Sequence, residues 1–252
     1  MRFSKISIAV AGLLCTTLSL SAAAEPRMGD EDLECILEPN MKVEISAAVP
    51  GVLSDVSVQR GDRVKRGQTL AKLVSGPEEA AVELARARVE FGKRKAQRNE
   101  DLFTRKLISV HDKDEMDTEV IIAKLQLKQA QEQLALRSIS TPISGVLVER
   151  ERDPGEYVED EPLLTVVSLD PLHVEVVAPA ERFGTIRKGM RGEVYTAAPM
   201  QGVHQAEVTI IDQMIDAASG TIRVRLALPN PDNAIPAGLK CYVRLLPDES
   251  EL

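Results

Sequence analysis

The side chains that could ligate a metal or react with a substrate are few in this chain, and they are scattered. Its three histidines, His111, His173 and His204, do not have the close spacing of a metal-binding motif, and neither do its cysteines. The seven methionines do not cluster. The chain contains no Gly-x-Ser-x-Gly turn and no phosphate-binding loop. We therefore expect no catalytic residue, no bound metal and no cofactor.

Cysteine chemistry is the exception. Cys35 and Cys241 each lie in a stretch where apolar and polar residues alternate, as they do in a strand. One stretch is near the start of the predicted fold and the other is near its end. Two states of this pair stay open. The first is a disulfide, which would stabilise the fold by at most about 4 to 5 kcal/mol through the long loop that it closes. The second is a pair of buried thiols.

The N-terminus has the pattern of a secretory signal. Two basic residues precede an apolar stretch over 6–20, and three alanines at 22–24 precede the first acidic residue. The apolar stretch is too short to cross a bilayer. Leu14, which precedes Cys15, is not the small residue that lipoprotein processing needs. We expect cleavage after Ala24 and export to a compartment that permits disulfides.

The net charge of −8 argues against a surface that binds nucleic acid or anionic lipid. The chain has no tryptophan and only 3% aromatic residues, which leaves little for base stacking. After the N-terminal stretch, no segment approaches the ~20 consecutive apolar residues of a membrane span. We expect no nucleic-acid partner, and a protein that is at most peripheral to a membrane.

A glycine-containing motif occurs twice in the sequence, 94 positions apart, over residues 51–73 and 145–167. Both copies alternate apolar and polar residues and place glycine where the chain must turn, as short strands do. Seven positions match at one constant offset: Gly51 with Gly145, Val52 with Val146, Leu53 with Leu147, Gly61 with Gly155, Val64 with Val158, Leu70 with Leu164, and Leu73 with Val167. Two half-domains that are far apart in sequence must therefore fold together.

The residues between the two copies have a helical composition. Pro77 and the two glutamates after it suit a first helical turn. Apolar and small residues then recur in steps of three and four, in two series: Val82, Ala85, Val89, Gly92, Ala96, Asn99 and Phe103, then Met116, Val120, Ala123, Leu127, Ala130 and Leu134. Such heptads predict an antiparallel coiled-coil hairpin, about 43 Å long. Ile121 and Leu125 lie off this seam, and we interpret them as contacts with neighbouring subunits.

The part of the chain after Pro171 returns to alternation. Strands are predicted at 172–177, 192–196, 205–212, 221–228 and 238–246, with a short helix from Ala180 to Arg187. Five or six strands and one helix in some eighty residues suit a small antiparallel β-barrel.

This organisation resembles the periplasmic adaptor subunits, or membrane fusion proteins, of RND-type efflux pumps. The repeats are similar to lipoyl or biotinyl carrier half-motifs at 51–64 and 141–146, and the barrel is similar to that of the family at 216–225 and 229–239. The resemblance implies a mainly β fold with a coiled-coil hairpin, in which a split lipoyl-like (barrel-sandwich hybrid) domain precedes a small antiparallel β-barrel. The predicted divisions are a signal peptide at 1–24, lipoyl-like halves at 33–76 and 138–168, a helical hairpin at 77–137, and a barrel at 169–248.

The resemblance also implies a function. The chain would be a non-enzymatic periplasmic adaptor that bridges an inner-membrane RND transporter to a TolC-like outer-membrane channel, as a homo-oligomeric ring. Arg98, Leu102 and Ser109 have the spacing R-x3-L-x6-S, which matches the family motif for docking onto the channel. From the residues alone, Arg98 and Leu102 lie one turn apart on one helix face, and Ser109 can cap the second helix. Larger relatives carry a further membrane-proximal β-domain, so we expect the pump contact here from the barrel or from residues 25–35.

Three other functions share some of these sequence features. An acyl-carrier role is disfavoured because the hairpin occupies the turn where a carrier domain presents its modifiable lysine. An adaptor of an ABC-type or type I secretion exporter would share the fold, although type I adaptors usually keep an N-terminal membrane span. A metal-binding or chaperone component of an efflux system would need ligands, and the scattered histidines do not supply them.

Overall fold

The computed structural model describes residues 32–197, 200 and 202–247, so the predicted signal peptide and Cys15 lie outside the described residues. The described chain is mainly β-structure with one helical hairpin, as the sequence predicts. Its elements are β1 (Leu33–Ser46), β2 (Gly51–Val56), β3 (Arg63–Val64), β4 (Thr69–Leu73), α1 (Gly76–Thr104), α2 (Val110–Ala135), β5 (Ser138–Ser140), β6 (Gly145–Arg150), β7 (Tyr157–Val158), β8 (Pro162–Pro179), β9 (Arg191–Thr196), β10 (Gly202–Ile211), β11 (Thr221–Leu228) and β12 (Lys240–Leu245).

Six strands close into a barrel in the order β1-β12-β9-β10-β11-β8, and β8 pairs again with β1 to complete the circle. Alternate residues of each strand point inward, which is why these segments alternate in sequence. The interior is aliphatic, and its most buried members are Leu37, Leu172, Val174, Ala178, Val194, Val208, Val224, Leu226 and Val243, each with 0% exposure. A closed barrel leaves no free strand edge inside this core.

Two long strands, β1 and β8, pass from the barrel into the domain that precedes the arm. The first part of β8 pairs with β6 and with the end of β1, and its last part pairs with β11 and with the start of β1. A bulge between Pro39 and Met41 and a cis bond between Asp170 and Pro171 mark the transition. The sequence placed residues 33–39 with the first lipoyl-like half, but they pair with barrel strands.

The two repeats bond to each other reciprocally. The amide of Gly61 donates to the Leu147 carbonyl (2.8 Å), and at the equivalent place Gly155 donates to the Leu53 carbonyl (2.8 Å). The amides of Leu147 and Leu53 each donate to the carbonyl of the residue after the opposite glycine, both at 2.9 Å. The turn of each half therefore forms backbone hydrogen bonds with a strand of the other half. The two repeats fold together, as the sequence predicts.

Glycine is required at two kinds of place in this arrangement. Gly61 and Gly155 adopt φ of 96° and 95°, a region that other residues rarely occupy. Gly145 has a different reason, since a Cβ there would lie 2.0 Å from the carbonyl oxygen of Val167. The absence of a side chain lets β6 approach β8.

The arm consists of α1 and α2, which pack antiparallel along the predicted seam. All thirteen predicted seam residues are buried or half-buried, and Val82, Ala85, Val89 and Ala130 are the most enclosed. A Cβ on Gly92 would lie 3.3 Å from a Val120 methyl, so a small residue there allows close approach. The heptad register is thereby confirmed.

One local prediction is wrong. Only a single 3-10 turn forms, over Ala180–Arg182, in place of the helix from Ala180 to Arg187. Gly184 adopts φ of 93°, a conformation that ends a helix. In the described part of the chain, neither α1 nor α2 has the length and apolarity needed to cross a bilayer.

Candidate functional site

The candidate site is the tip of the arm, where α1 ends and α2 begins. The amide of Lys106 donates to the Phe103 carbonyl and that of Leu107 donates to the Leu102 carbonyl, both at 2.8 Å. This pair of bonds is a Schellman motif. Its left-handed position is filled by Lys106 at φ of 60°, where glycine is the usual residue. The chain therefore reverses within five residues, in a defined shape.

Ser109 closes the other side of the tip as the N-cap of α2. Its hydroxyl accepts from the Asp112 amide (3.1 Å), and the Asp112 carboxylate accepts from the Ser109 amide (2.9 Å). This reciprocal arrangement is a capping box, and it satisfies two amides that the helix itself leaves without a partner. The Ser109 hydroxyl also donates to that carboxylate at 2.6 Å. Hydrogen bonds from the Ser109 side chain and amide lower the pKa of Asp112 below its ordinary value.

The predicted docking residues lie together on this end of the arm. Arg98 is exposed, Leu102 is 37% exposed one turn further on, and Ser109 lies just beyond the reversal. The structure adds two residues that the sequence analysis did not single out, Leu107 and Val110, with exposures of 67% and 63%. Both are apolar residues at a predicted break between two helices, and that position could have identified them from the sequence. The tip therefore exposes an apolar surface beside the guanidinium group of Arg98.

Contacts between the helices stiffen the last turns before the tip. The Lys113 ammonium donates to the Glu100 carboxylate at 2.7 Å and lies 4.7 Å from the centroid of the Phe103 ring. A hydrogen bond to the Glu100 carboxylate raises the pKa of Lys113 above its ordinary value. The Asn99 amide group donates to the sulfur of Met116 on α2 at 3.3 Å. Both helices therefore hold the tip at a fixed place.

The base of the arm is clamped by Arg137. Its guanidinium donates to the Glu78 carboxylate (2.7 Å) on the first turn of α1 and to the Pro50 carbonyl (3.0 Å). A backbone hydrogen bond and that guanidinium lower the pKa of Glu78. Pro50 follows the end of β1 that is distant from the barrel. The arm and the barrel consequently extend from opposite ends of the domain formed by the two repeats.

The two cysteines meet at the barrel seam. Cys35 of β1 lies directly opposite Cys241 of β12, and a disulfide joins them across 206 residues of sequence. Both residues belong to the barrel core, with 8% and 2% exposure. The bond links the first strand of the described chain to the last.

The remaining candidates for chemistry stay apart. His111 is exposed on the first turn of α2, and His173 and His204 lie on different barrel strands, β8 and β10. Burial lowers the pKa of His173, and the nearby Arg225 adds to the effect. Within the described residues, no three histidine, cysteine or carboxylate side chains come together as a metal site would require.

Comparison with known proteins gives relatives that are named for efflux or drug resistance. The chain is 24% identical over 218 residues to the antibiotic efflux pump periplasmic linker protein ArpA of Pseudomonas putida, covering 80% of this chain and 59% of that protein. It is 27% identical over 218 residues to the multidrug resistance protein MdtA of Pectobacterium carotovorum, covering 77% and 52%. The chain therefore spans less than two thirds of the length of these relatives.

Solved structures share the fold. A MacA-MexA chimera that contains the Pseudomonas aeruginosa MexA hairpin superposes with a TM-score of 0.73 at 18% identity, covering 85% of this chain and 79% of that one. The membrane fusion protein Spr0693 of Streptococcus pneumoniae superposes with a TM-score of 0.68 at 17% identity, covering 86% and 99%.

Two family models together match nearly all of the described chain. Residues 41–168 match a CzcB-like barrel-sandwich hybrid domain, and residues 171–249 match a CusB-like β-barrel domain. The first match alone covers half of the sequence and includes both repeats and the arm between them. These matches show that this chain belongs to the membrane fusion proteins, a non-enzymatic family whose members above are named for efflux and multidrug resistance.

Proposed function

We propose that this protein bridges an inner-membrane transporter of the RND class to a TolC-like outer-membrane channel, with several copies in a ring around the conduit. The observation that carries the proposal is the tip of the arm. Leu107 and Val110 are held rigidly in solvent about 40 Å from the base of the arm. Exposed apolar side chains on a fixed support are typical of a protein-binding surface.

The residues of the tip have separate roles in this proposal. Arg98 and Leu102 touch the channel, Arg98 through hydrogen bonds to carboxylate or carbonyl oxygens and Leu102 through apolar contact. Ser109 acts as a positioning residue, because its hydroxyl is engaged in the capping box. The barrel, at the other end of the molecule, contacts the pump.

The disulfide supports a periplasmic location. Such bonds persist in oxidising compartments and are rare where thiol reductants keep cysteines reduced. The Cys35–Cys241 bond therefore agrees with the secretory signal predicted at residues 1–24. We place the adaptor in the periplasm, peripheral to the membrane.

An efflux assay tests the tip. Cells that lack the protein are complemented with R98D or L102D and grown on a panel of antibiotics, dyes and solvents against which the native chain protects. Each variant should lose that protection while keeping its abundance and its melting temperature, because both side chains are exposed. The matched control for R98D is R60D, the same charge reversal at an exposed arginine of the repeat domain, away from the tip. Full protection by R98D and L102D would contradict the docking assignment.

Cross-linking identifies the partners. A cysteine introduced at the exposed Arg105 (R105C) leaves the Schellman and capping-box hydrogen bonds in place, since neither uses that side chain. A cysteine-directed photo-cross-linker on intact cells should capture an outer-membrane channel, and R98D should reduce its capture. Purification of the native complex should recover an RND transporter. Recovery of an exporter with a nucleotide-binding cassette would replace the RND assignment with the ABC alternative.

A further inference from the structure

Three apolar side chains are exposed on loops at the free end of the barrel, which is the end distant from the two repeats. Phe183 lies in the loop after β8, whereas Met214 and Ile215 lie in the loop between β10 and β11, with exposures of 46%, 79% and 48%. Met214 is the most exposed large apolar residue of the described chain. Pro179, the last residue of β8, pairs with Thr221 at the start of β11, so both loops lie at the same end.

The two loops are also held to each other and to the barrel. The Ala180 amide of one loop donates to the Gly220 carbonyl of the other (2.9 Å). The loop after β8 leads to β9, which stands on the opposite side of the six-stranded barrel, so this loop crosses the mouth. Ile186 points inward from it and joins the barrel core with 5% exposure, while Phe183 stays outside. The exposed apolar residues are therefore carried on a fixed support.

The loop that crosses the mouth is basic, although the chain as a whole has a net charge of −8. Between positions 180 and 190 there is one acidic residue, Glu181, and there are three basic ones, Arg182, Arg187 and Lys188. The two carboxylates of the other loop are engaged within the protein. Asp212 accepts from Arg223 at 3.1 Å, and Asp216 accepts from the Ala218 amide at 2.9 Å. The free end therefore presents apolar side chains beside positive charge.

We propose that the free end of the barrel binds the surface of a bilayer that contains anionic lipids, with Phe183, Met214 and Ile215 inserted just below the headgroups. Apolar side chains flanked by basic ones suit this interface, because the first enter the acyl region and the second attract lipid phosphates. Insertion needs no complementary pocket, and the outer sides of the barrel strands stay available for the pump. This inference rests on the proposed function for one point, that the end opposite the arm faces the inner membrane.

A single tryptophan tests the insertion directly, because the native chain has none. M214W in the exported chain is mixed with vesicles of phosphatidylethanolamine and phosphatidylglycerol. Its emission should shift to shorter wavelength, and lipids brominated on their acyl chains should quench it. The matched control is Y157W, at a side chain of the repeat domain with 61% exposure, and its emission should not change. No shift and no quenching of M214W, or equal quenching of Y157W, would overturn the proposal.

Charged substitutions test the apolar and the basic contributions separately. F183D should lower binding to these vesicles about tenfold, since burial of part of an aromatic side chain contributes that much. Its matched control is V203D, which changes an exposed apolar residue at the opposite end of the barrel and should bind as the native chain does. K188E should weaken binding to anionic vesicles more than the matched K240E, whose lysine lies at that opposite end. Native binding by both F183D and K188E would contradict the assignment.

A transporter in the bilayer is the other candidate for these loops, and the same probe distinguishes it from lipid. Emission of M214W that changes only in vesicles containing a purified RND transporter would assign the loops to the pump and overturn the lipid assignment. Capture of an outer-membrane channel through R105C tests the proposed function separately, because that capture depends on the tip of the arm and not on the barrel loops.

Discussion

The barrel and the arm bury their apolar residues in opposite ways. The barrel encloses eighteen buried residues in one closed core, whereas the described arm has four, Val82, Ala85, Val89 and Ala130, all in the half nearer its base. Leucine, isoleucine and valine side chains on the arm remain in solvent instead, at the tip and along both flanks. The two regions therefore suit different tasks. The closed core of the barrel resists unfolding, whereas exposed apolar residues on the helices of the arm can bind another surface.

The largest expected effect is the loss of the barrel disulfide. Replacing both cysteines (C35A/C241A) should lower the free energy of unfolding by up to about 5 kcal/mol, since the bond closes a loop of 206 residues. Urea unfolding followed by tyrosine fluorescence measures this, because all three tyrosines lie on strands. Coincident unfolding of the oxidised native protein and the double variant would show that the bond adds no stability.

Equal truncations in the two regions should differ in cost. Leu226 has 0% exposure in the barrel, and L226A should cost about 2–5 kcal/mol of unfolding free energy. Leu127 is half-buried in the arm, and L127A should cost about 1–2 kcal/mol. Circular dichroism at 222 nm, which is dominated by the helices, should register L127A more strongly than tyrosine fluorescence does. Equal losses of unfolding free energy in L226A and L127A would show that the two regions do not differ in this way.

A smaller effect is expected at the cap of α2. S109A removes one half of the capping box and should destabilise the tip by about 1 kcal/mol. The control is T118A, whose hydroxyl donates to the Asp114 carbonyl inside the helix at 2.7 Å. Such a bond adds little to a helix, and alanine is the better helix former, so T118A should not destabilise α2. Hydrogen exchange of the amides at the start of α2 measures both, and equal protection in native protein and S109A would refute the capping role.

The smallest effect is the acid dependence of the same cap. The pKa of Asp112 is lowered from 3.8 by its bonds to Ser109. A lowered folded-state pKa means that this stabilisation is fully present above pH 3.8 and is lost as the pH falls through the lower value. In the native protein, protection of the amides at the start of α2 against hydrogen exchange should fall in that acidic range. In D112N, the same protection should not depend on pH there. A loss of protection already between pH 5 and 7 would contradict this assignment.

The sequence predicted the arm better than it predicted the barrel. Heptad spacing is local, so a register that buries Val82 and Ala130 can be derived from thirty residues at a time. Pairing between Cys35 and Cys241 joins positions 206 residues apart, and alternation in each strand says nothing about its neighbour. For the same reason the division of β1 between the barrel and the repeat domain was missed.

The tip shows a different limit of sequence reasoning. Spacing identified Arg98, Leu102 and Ser109, but the exposure of Leu107 depends on a left-handed turn at Lys106. Lysine is not a residue that predicts such a turn. Three-dimensional geometry was needed to show that the apolar surface continues past the motif.

The reciprocal bonds between the repeats also set an order of events for the nascent chain. Leu53 is made early, but the turn at Gly155 that completes its strand is made about a hundred residues later. At ~5–20 residues per second, the first repeat waits roughly 5–20 s without its other half. Its leucines are open to aggregation throughout that interval, while the arm is being synthesised. We therefore expect chaperones to cover the first repeat of this chain until the second repeat emerges.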